Sequence, residues 1–178
     1  MNIAVYCGSL MGNDPDFNRA AEEIGNYIGR HGGTLVWGCG NSGLMNTVAD
    51  HTLKAGGNAI GVIPQFMVDQ GHAYEDVDQL FITETMAERK SKMIELADHY
   101  VALPGGPGTL EEIAEVMSYS KLGLHNKCCI LCNINGFYDT LKIQIEKMCE
   151  AGFVSKEDLT KIYFADDMQE VFRILDSH

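Results

Sequence analysis

Short apolar runs recur along the chain, and between them lie longer stretches whose apolar residues repeat with a helical period. Residues 2–7, 34–37, 58–63, 79–83, 99–103 and 128–132 are rich in aliphatic, aromatic and cysteine side chains and read as strands. After the first run, Phe17, Ala20, Ala21, Ile24, Tyr27 and Ile28 fall on one face of a 3.6-residue period, with Pro15 near the start of that helix and Gly32-Gly33 at its end. A helix over 85–97 carries Met86, Met93, Leu96 and Ala97 on its apolar face, and helices near 140–151 and 167–175 read as packing elements. Strand and helix in this alternation predict an α/β fold with a mostly parallel sheet and helices on both faces. No linker, repeat or low-complexity tract interrupts the 178 residues, so a single domain over 1–178 is expected.

Charge and composition narrow the class of partner. A formal net charge of -12 opposes binding to nucleic acid or an anionic membrane, and no basic face compensates for it. No apolar run approaches the roughly 18 residues of a membrane helix, and the N-terminus reads as a strand without a basic leader. Six cysteines lie in apolar segments rather than at the spacings of a stapled domain, which suits reduced thiols and a cytoplasmic location. Net acidity leaves a small anionic ligand open, because helix N-termini and backbone N–H groups bind phosphate without adding charge.

Three glycine loops each follow an expected strand and precede a helix. They are Gly8-Ser9, Gly38-Cys39-Gly40-Asn41-Ser42-Gly43 and Pro104-Gly105-Gly106-Pro107-Gly108-Thr109. Ligands of parallel sheets bind at the carboxyl ends of the strands, where these loops fall. Side by side, they would form a phosphate and ribose cradle; singly, each is also explained as a tight turn. Gly38, Gly40 and Gly43 match the dinucleotide fingerprint, but the next strand ends Gly61-Val62-Ile63-Pro64 without the acidic residue that would hold a ribose 2'-hydroxyl.

Two readings compete for Glu112. Thr109-Leu110-Glu111-Glu112 has the spacing of a capping box, in which Thr109 caps the helix and Glu112 folds back onto the cap. Alternatively, Glu112 stands one turn into a helix whose mouth is an anion cradle, within reach of a bound sugar. Arg89 and Lys90 interrupt the apolar face of the 85–97 helix, so at least one is directed to the buried side, either snorkelling to water or facing a phosphate. Glu84 is placed to pair with that cation or with ribose hydroxyls. Met45, Met86, Met93 and Met117 are candidates for an apolar base pocket, with core filling as the default. His125 reads as a loop residue able to line a site or a subunit contact, with solvent as the default neighbour. Cys128 and Cys132 share one face of a strand and Cys129 the other, which disfavours a metal site.

Glu88-Arg89-Lys90, then Pro104-Gly105-Gly106-x-Gly108-Thr109-x-x-Glu112, then Leu122-Gly123-Leu124-His125-x-Lys127 follow in order. With Gly8-Ser9, Gly38-x-Gly40-x-Ser42-Gly43-Leu44-Met45 and Asn135-Gly136-Phe137-Tyr138, the chain resembles the Lonely Guy family of cytokinin riboside 5'-monophosphate phosphoribohydrolases over nearly its whole length. Ala87, Cys39, Asn46, Tyr119 and Lys121 depart from the family's usual residues, outside Glu112 and the third loop. The resemblance implies a Rossmann-like three-layer sandwich, a homodimer or higher even homo-oligomer, no metal or organic cofactor, and Arg89 with Glu112 as the catalytic pair. Relatives have often been labelled lysine decarboxylases, a reaction that ordinarily needs pyridoxal phosphate on a Schiff-base lysine, and no lysine of the chain is marked for that role.

The expected reaction is hydrolysis of the N-glycosidic bond of an adenosine 5'-monophosphate, with or without an N6 substituent, to free base and ribose 5-phosphate. Glu112 would stabilise an oxocarbenium-like transition state and activate water, while Arg89 anchors phosphate or ribose. Gly8, Ser9, Gly40, Ser42, Gly43, Met45, Glu84, Lys90, Pro104, Gly105, Gly106, Gly108 and Thr109 would bind substrate. A broader purine and pyrimidine nucleotide nucleosidase, or a non-catalytic nucleotide or cofactor carrier built on the same cradles, are the alternatives.

Overall fold

A computed structural model describes residues 1–74 and 76–178. Its elements run β1 (Asn2–Tyr6), α1 (Pro15–Arg30), β2 (Thr34–Trp37), α2 (Gly43–Lys54), β3 (Asn58–Pro64), α3 (Gln65–Asp69) and β4 (Gln79–Thr83). They continue as α4 (Met86–Leu96), β5 (His99–Ala102), α5 (Pro107–Lys121), β6 (Cys129–Cys132), α6 (Asp139–Glu150), β7 (Ile162–Ala165) and α7 (Met168–Asp176). The seven strands form one sheet in the order β4-β3-β2-β1-β5-β6-β7, every neighbouring pair parallel. Each of the six expected runs contains a strand. The seventh, β7, has no forecast in the sequence pattern: it is a four-residue edge strand, paired on one side only and half-buried over three of its positions.

Alternation along the strands sends side chains into two cores. Ile3 and Val5 of β1 join Ala20, Ile24 and Ile28 of α1, Leu44 and Val48 of α2, and Val171 and Leu175 of α7. Ala4 and Tyr6 point the other way, to Met93 of α4, Ile113 and Val116 of α5, and Tyr138 just before α6. Fully burying each large aliphatic side chain contributes about 1.5–3 kcal/mol, so both layers are held mainly by apolar burial. The expected amphipathic face of α1 is the buried one; Asp14 accepts from Asp16 N at 2.9 Å to cap its start, with Pro15 in the first turn.

This topology positions the site. The chain builds the sheet outward from β1 through β2 and β3 to β4, then returns to the other side of β1 with β5. The carboxyl ends of β1 and β5 therefore flank the point where strand order reverses, and the crevice between their outgoing loops is the expected place for a ligand. Among the described residues, no helix is long and apolar enough to cross a membrane.

Candidate active site

The loops after β1 and β5 meet directly, with Gly8 N donating to Pro104 O at 3.2 Å. The loop after β2 is laced onto them. Gly43 has φ of +59°, and a Cβ there would stand 2.3 Å from the Ser9 carbonyl carbon, so only glycine admits this contact. Ser42 Oγ donates to Ser9 O at 3.1 Å, Met45 N to Gly8 O at 3.4 Å, and Asn41 N to His72 O at 3.2 Å. Several donors of this second loop are thus committed within the protein. Gly40, Ser42 and Gly43 do not line the central cleft; they hold α2 in place and deliver Met45 to it.

The start of α5 carries no side-chain cap: Asp14, Thr85 and Asp167 cap α1, α4 and α7, whereas α2, α3 and α6 share with α5 the lack of one, and the N-cap of α5 is Gly106. Its first-turn amides open onto a cleft of about 280 Å³ lined by Gly106 through Thr109 together with Gly8, Ser9 and Met45. A Cβ added at Gly106 or Gly108 would meet nothing within 4 Å, so both glycines face open space. Uncapped N–H groups and the positive end of a fifteen-residue helix suit a phosphate there. Pro104 and Gly105 lie just outside, in an adjoining hollow of about 410 Å³ that Leu10, Met11, Phe17 and Phe137 also line.

Glu112 and Arg89 meet at the floor of the cleft. Thr85 caps α4 by accepting from Glu88 N at 3.1 Å, and Glu88 Oε2 accepts from Glu84 N at 3.0 Å; this reciprocal cap sets the first turn of α4. One turn on, Arg89 is buried; its Nε donates to Val62 O at 3.1 Å and its Nη1 to Glu112 Oε1 at 2.8 Å. The guanidinium crosses the end of β2 at Gly38, where a Cβ would stand 1.6 Å from Nη2. Gly38 is therefore the space that Arg89 occupies, a role the loop pattern did not suggest. Burial raises the Glu112 carboxyl above the usual glutamate range, and the Arg89 guanidinium offsets part of that rise.

The capping-box reading of Glu112 is overturned. Pro107 opens α5 two residues before Thr109, so Thr109 lies inside the helix and packs against Gly105, while Glu112 turns to Arg89. The pairing expected for Glu84 is also corrected. Glu84 is exposed and its carboxylate bonds neither cation, because Arg89 turns to Glu112 and Lys90 Nζ sits 2.8 Å from both Glu111 Oε1 and Glu115 Oε2. Neither Glu84 nor Lys90 lines the cleft. Of the four candidate methionines only Met45 does; Met93 is core, Met86 is exposed and Met117 packs beside the second core. His125 is half-buried, its Nε2 3.0 Å from Val116 O, rather than turned to solvent. Cys128 and Cys132 face one core and Cys129 the other. Sequence reasoning missed Tyr6, Cys7 and Met67, which line the cleft. Tyr6 ends β1 and Cys7 follows it, with no sequence signal that either reaches a site, and Met67 belongs to the five-residue α3, too short to carry a pattern.

A family profile described as possible lysine decarboxylase matches residues 45–175. A cytokinin riboside 5'-monophosphate phosphoribohydrolase of Rhodococcoides fascians is 37% identical over 169 residues, covering 94% of this chain and 85% of its own. One from Arabidopsis thaliana is 34% identical over 176 residues, covering 99% of this chain and 83% of its own. Among solved structures, the molybdenum cofactor binding protein of Rippkaea orientalis superposes with a TM-score of 0.74 at 21% identity, over 99% of this chain and 95% of that one. At that identity the likeness speaks for the fold alone.

Proposed function

The chain belongs to the cytokinin riboside 5'-monophosphate phosphoribohydrolase family, and from that premise we propose that it hydrolyses the N-glycosidic bond of an adenosine 5'-monophosphate, with or without an N6 substituent. The observation that carries the proposal is the buried Arg89–Glu112 pair, 2.8 Å apart, beside the uncapped start of α5. A carrier needs the phosphate cradle but has no use for a desolvated carboxylate one turn inside it.

The chemistry follows from these groups. The 5'-phosphate is held by the first-turn amides of α5 and the Ser9 and Thr109 hydroxyls, which sets C1' beside Glu112. As the C1'–N bond breaks, its electron pair leaves with the base, and the ring gains positive charge that the Glu112 carboxylate stabilises. Water then bonds to C1' and gives one proton to Glu112, which returns it, directly or through solvent, to the departing base, so that free base is released and the carboxylate restored. A carboxyl with a raised pKa takes that proton more readily than an exposed one. Arg89, held in turn by Val62 O, aligns Glu112 and favours its ionised form, offsetting part of the rise that burial causes.

Lysine decarboxylation, suggested by the profile's description, does not fit the donor set. Pyridoxal phosphate would need a Schiff-base lysine, and no described lysine lines the cleft. We further propose a cytoplasmic single-domain protein that forms a homodimer or higher even oligomer. Free cysteines support the first point, one continuous sheet the second, and exposed Leu122, Leu124 and Phe153 the third.

The test is incubation with AMP, N6-isopentenyl-AMP, GMP and CMP, followed by separation of free base, in the wild type and in Glu112→Gln. Adenine release that collapses at least about a hundredfold in the variant, with unchanged folding, supports the reading. Near-normal hydrolysis in Glu112→Gln overturns it.

A further inference from the structure

Three large tyrosines are buried in the layer beneath α4 and α5, and two of them have clear structural duties. Tyr100 Oη donates to Ile94 O at 3.0 Å, and Tyr138 Oη donates to Leu103 O at 2.7 Å. Tyr6, the last residue of β1, is 2% exposed overall and its hydroxyl makes no hydrogen bond within the described residues; unlike Trp37 Nε1, a sealed side-chain atom without a partner, the Tyr6 oxygen keeps contact with the cleft. Tyr6 lines the same cleft as Arg89 and Glu112, so a hydroxyl of a bound ligand can reach its free phenol.

We propose that Tyr6 is a specificity-determining residue whose hydroxyl bonds the 2'-hydroxyl of the substrate's ribose, so that the site selects ribonucleotides over 2'-deoxyribonucleotides. The inference rests on the proposed placement of Glu112 beside C1'. The hydrogen-bonding group nearest C1' on the sugar itself is the one on C2', and Tyr6 stands where it and Glu112 share the cleft. Burial and the Glu112 carboxylate both oppose ionisation of the phenol, so Tyr6 stays protonated and can donate as well as accept. A site built to bond a hydroxyl discriminates against the analogue lacking it, because its own polar group is then left unpaired.

Tyr6→Phe removes one oxygen and keeps the ring that packs in the core. The affinities of ribose 5-phosphate and 2-deoxyribose 5-phosphate, measured by calorimetry on wild type and Tyr6→Phe, test the bond without relying on turnover. The wild type is expected to prefer the ribose form by about five- to tenfold, roughly the worth of one hydrogen bond, and the variant to lose that preference with an unchanged thermal midpoint. The same ratio read as adenine release from AMP and 2'-deoxy-AMP should shift in parallel. No preference in the wild type, or a preference that Tyr6→Phe retains, overturns the assignment. Sugar-phosphate preference that vanishes in Tyr6→Phe while the wild type releases no base from AMP would uphold Tyr6 and sink the hydrolase reading instead.

Discussion

Replacing Gly38 with alanine should disable the site through a single methyl group. The new Cβ would fall 1.6 Å from Arg89 Nη2 and 2.7 Å from its Cζ, so the guanidinium has to leave. Gly38 is not among the positive-φ residues, and alanine brings no backbone penalty of that kind. Displacing Arg89 breaks its bonds to Val62 O and to Glu112, each worth about 1.5–3 kcal/mol when one partner is charged. It also leaves a buried carboxylate unpaired, for which breaking a buried ion pair gives about 3–5 kcal/mol. These contributions overlap, so the expected loss is about 3–5 kcal/mol in total rather than their sum. With a urea slope near 2 kcal/mol/M, the unfolding midpoint should fall by roughly 2 M. Gly108→Ala is the matched stability control: its Cβ meets nothing within 4 Å, and the midpoint should move by no more than about 0.5 kcal/mol in equivalent stability. Base release in Gly38→Ala should drop at least about a hundredfold, because Glu112 loses the group that orients it. A Gly38→Ala protein with an unchanged midpoint and full activity would show that the guanidinium does not lie across β2, and the account of the site would fail with it.

Two further outcomes follow from the same geometry. Since burial raises the Glu112 pKa and its carboxylate form is the working one, activity should fail on the acid side at a pH above the ordinary glutamate value of about 4.3, as a pH–rate profile would show. Stability has the opposite sense: the folded protein binds the Glu112 proton more tightly than the unfolded chain, so its contribution declines as pH rises from about 4.3 through the folded pKa. That decline should vanish from denaturation curves of Glu112→Gln, and a slope unchanged by the substitution would contradict it. Lys90→Met should leave adenine release within about threefold of wild type while costing about 1 kcal/mol, because its partly screened pairs with Glu111 and Glu115 clamp α4 to α5 outside the cleft. A large loss of turnover would return Lys90 to the binding machinery.

Local pattern carried the strands, the helices and the glycine loops, because apolar periodicity and backbone permissiveness are properties of neighbouring residues. It could not decide what each glycine serves. Gly38 and Gly43 stand in one loop and look alike in sequence, yet one clears space for a guanidinium from α4 and the other for the backbone of Ser9. Both partners are distant in the chain. Cys39 illustrates the same limit: its φ of +56° is a conformation that favours glycine, while its side chain is fully buried against β3.

From its sequence alone the chain determined a parallel α/β sheet, the site's end of that sheet, and Arg89 and Glu112 as residues to examine, since each follows from periodicity, strand-to-loop order or motif. Only the tertiary structure decided that Arg89 rather than Lys90 turns inward, that Glu112 answers it rather than its own helix end, and that Tyr6 lines the same cleft beside them. Such choices depend on which elements the sheet order brings together, and on the cost of burying a charge unpaired, neither of which is written in any local run of residues.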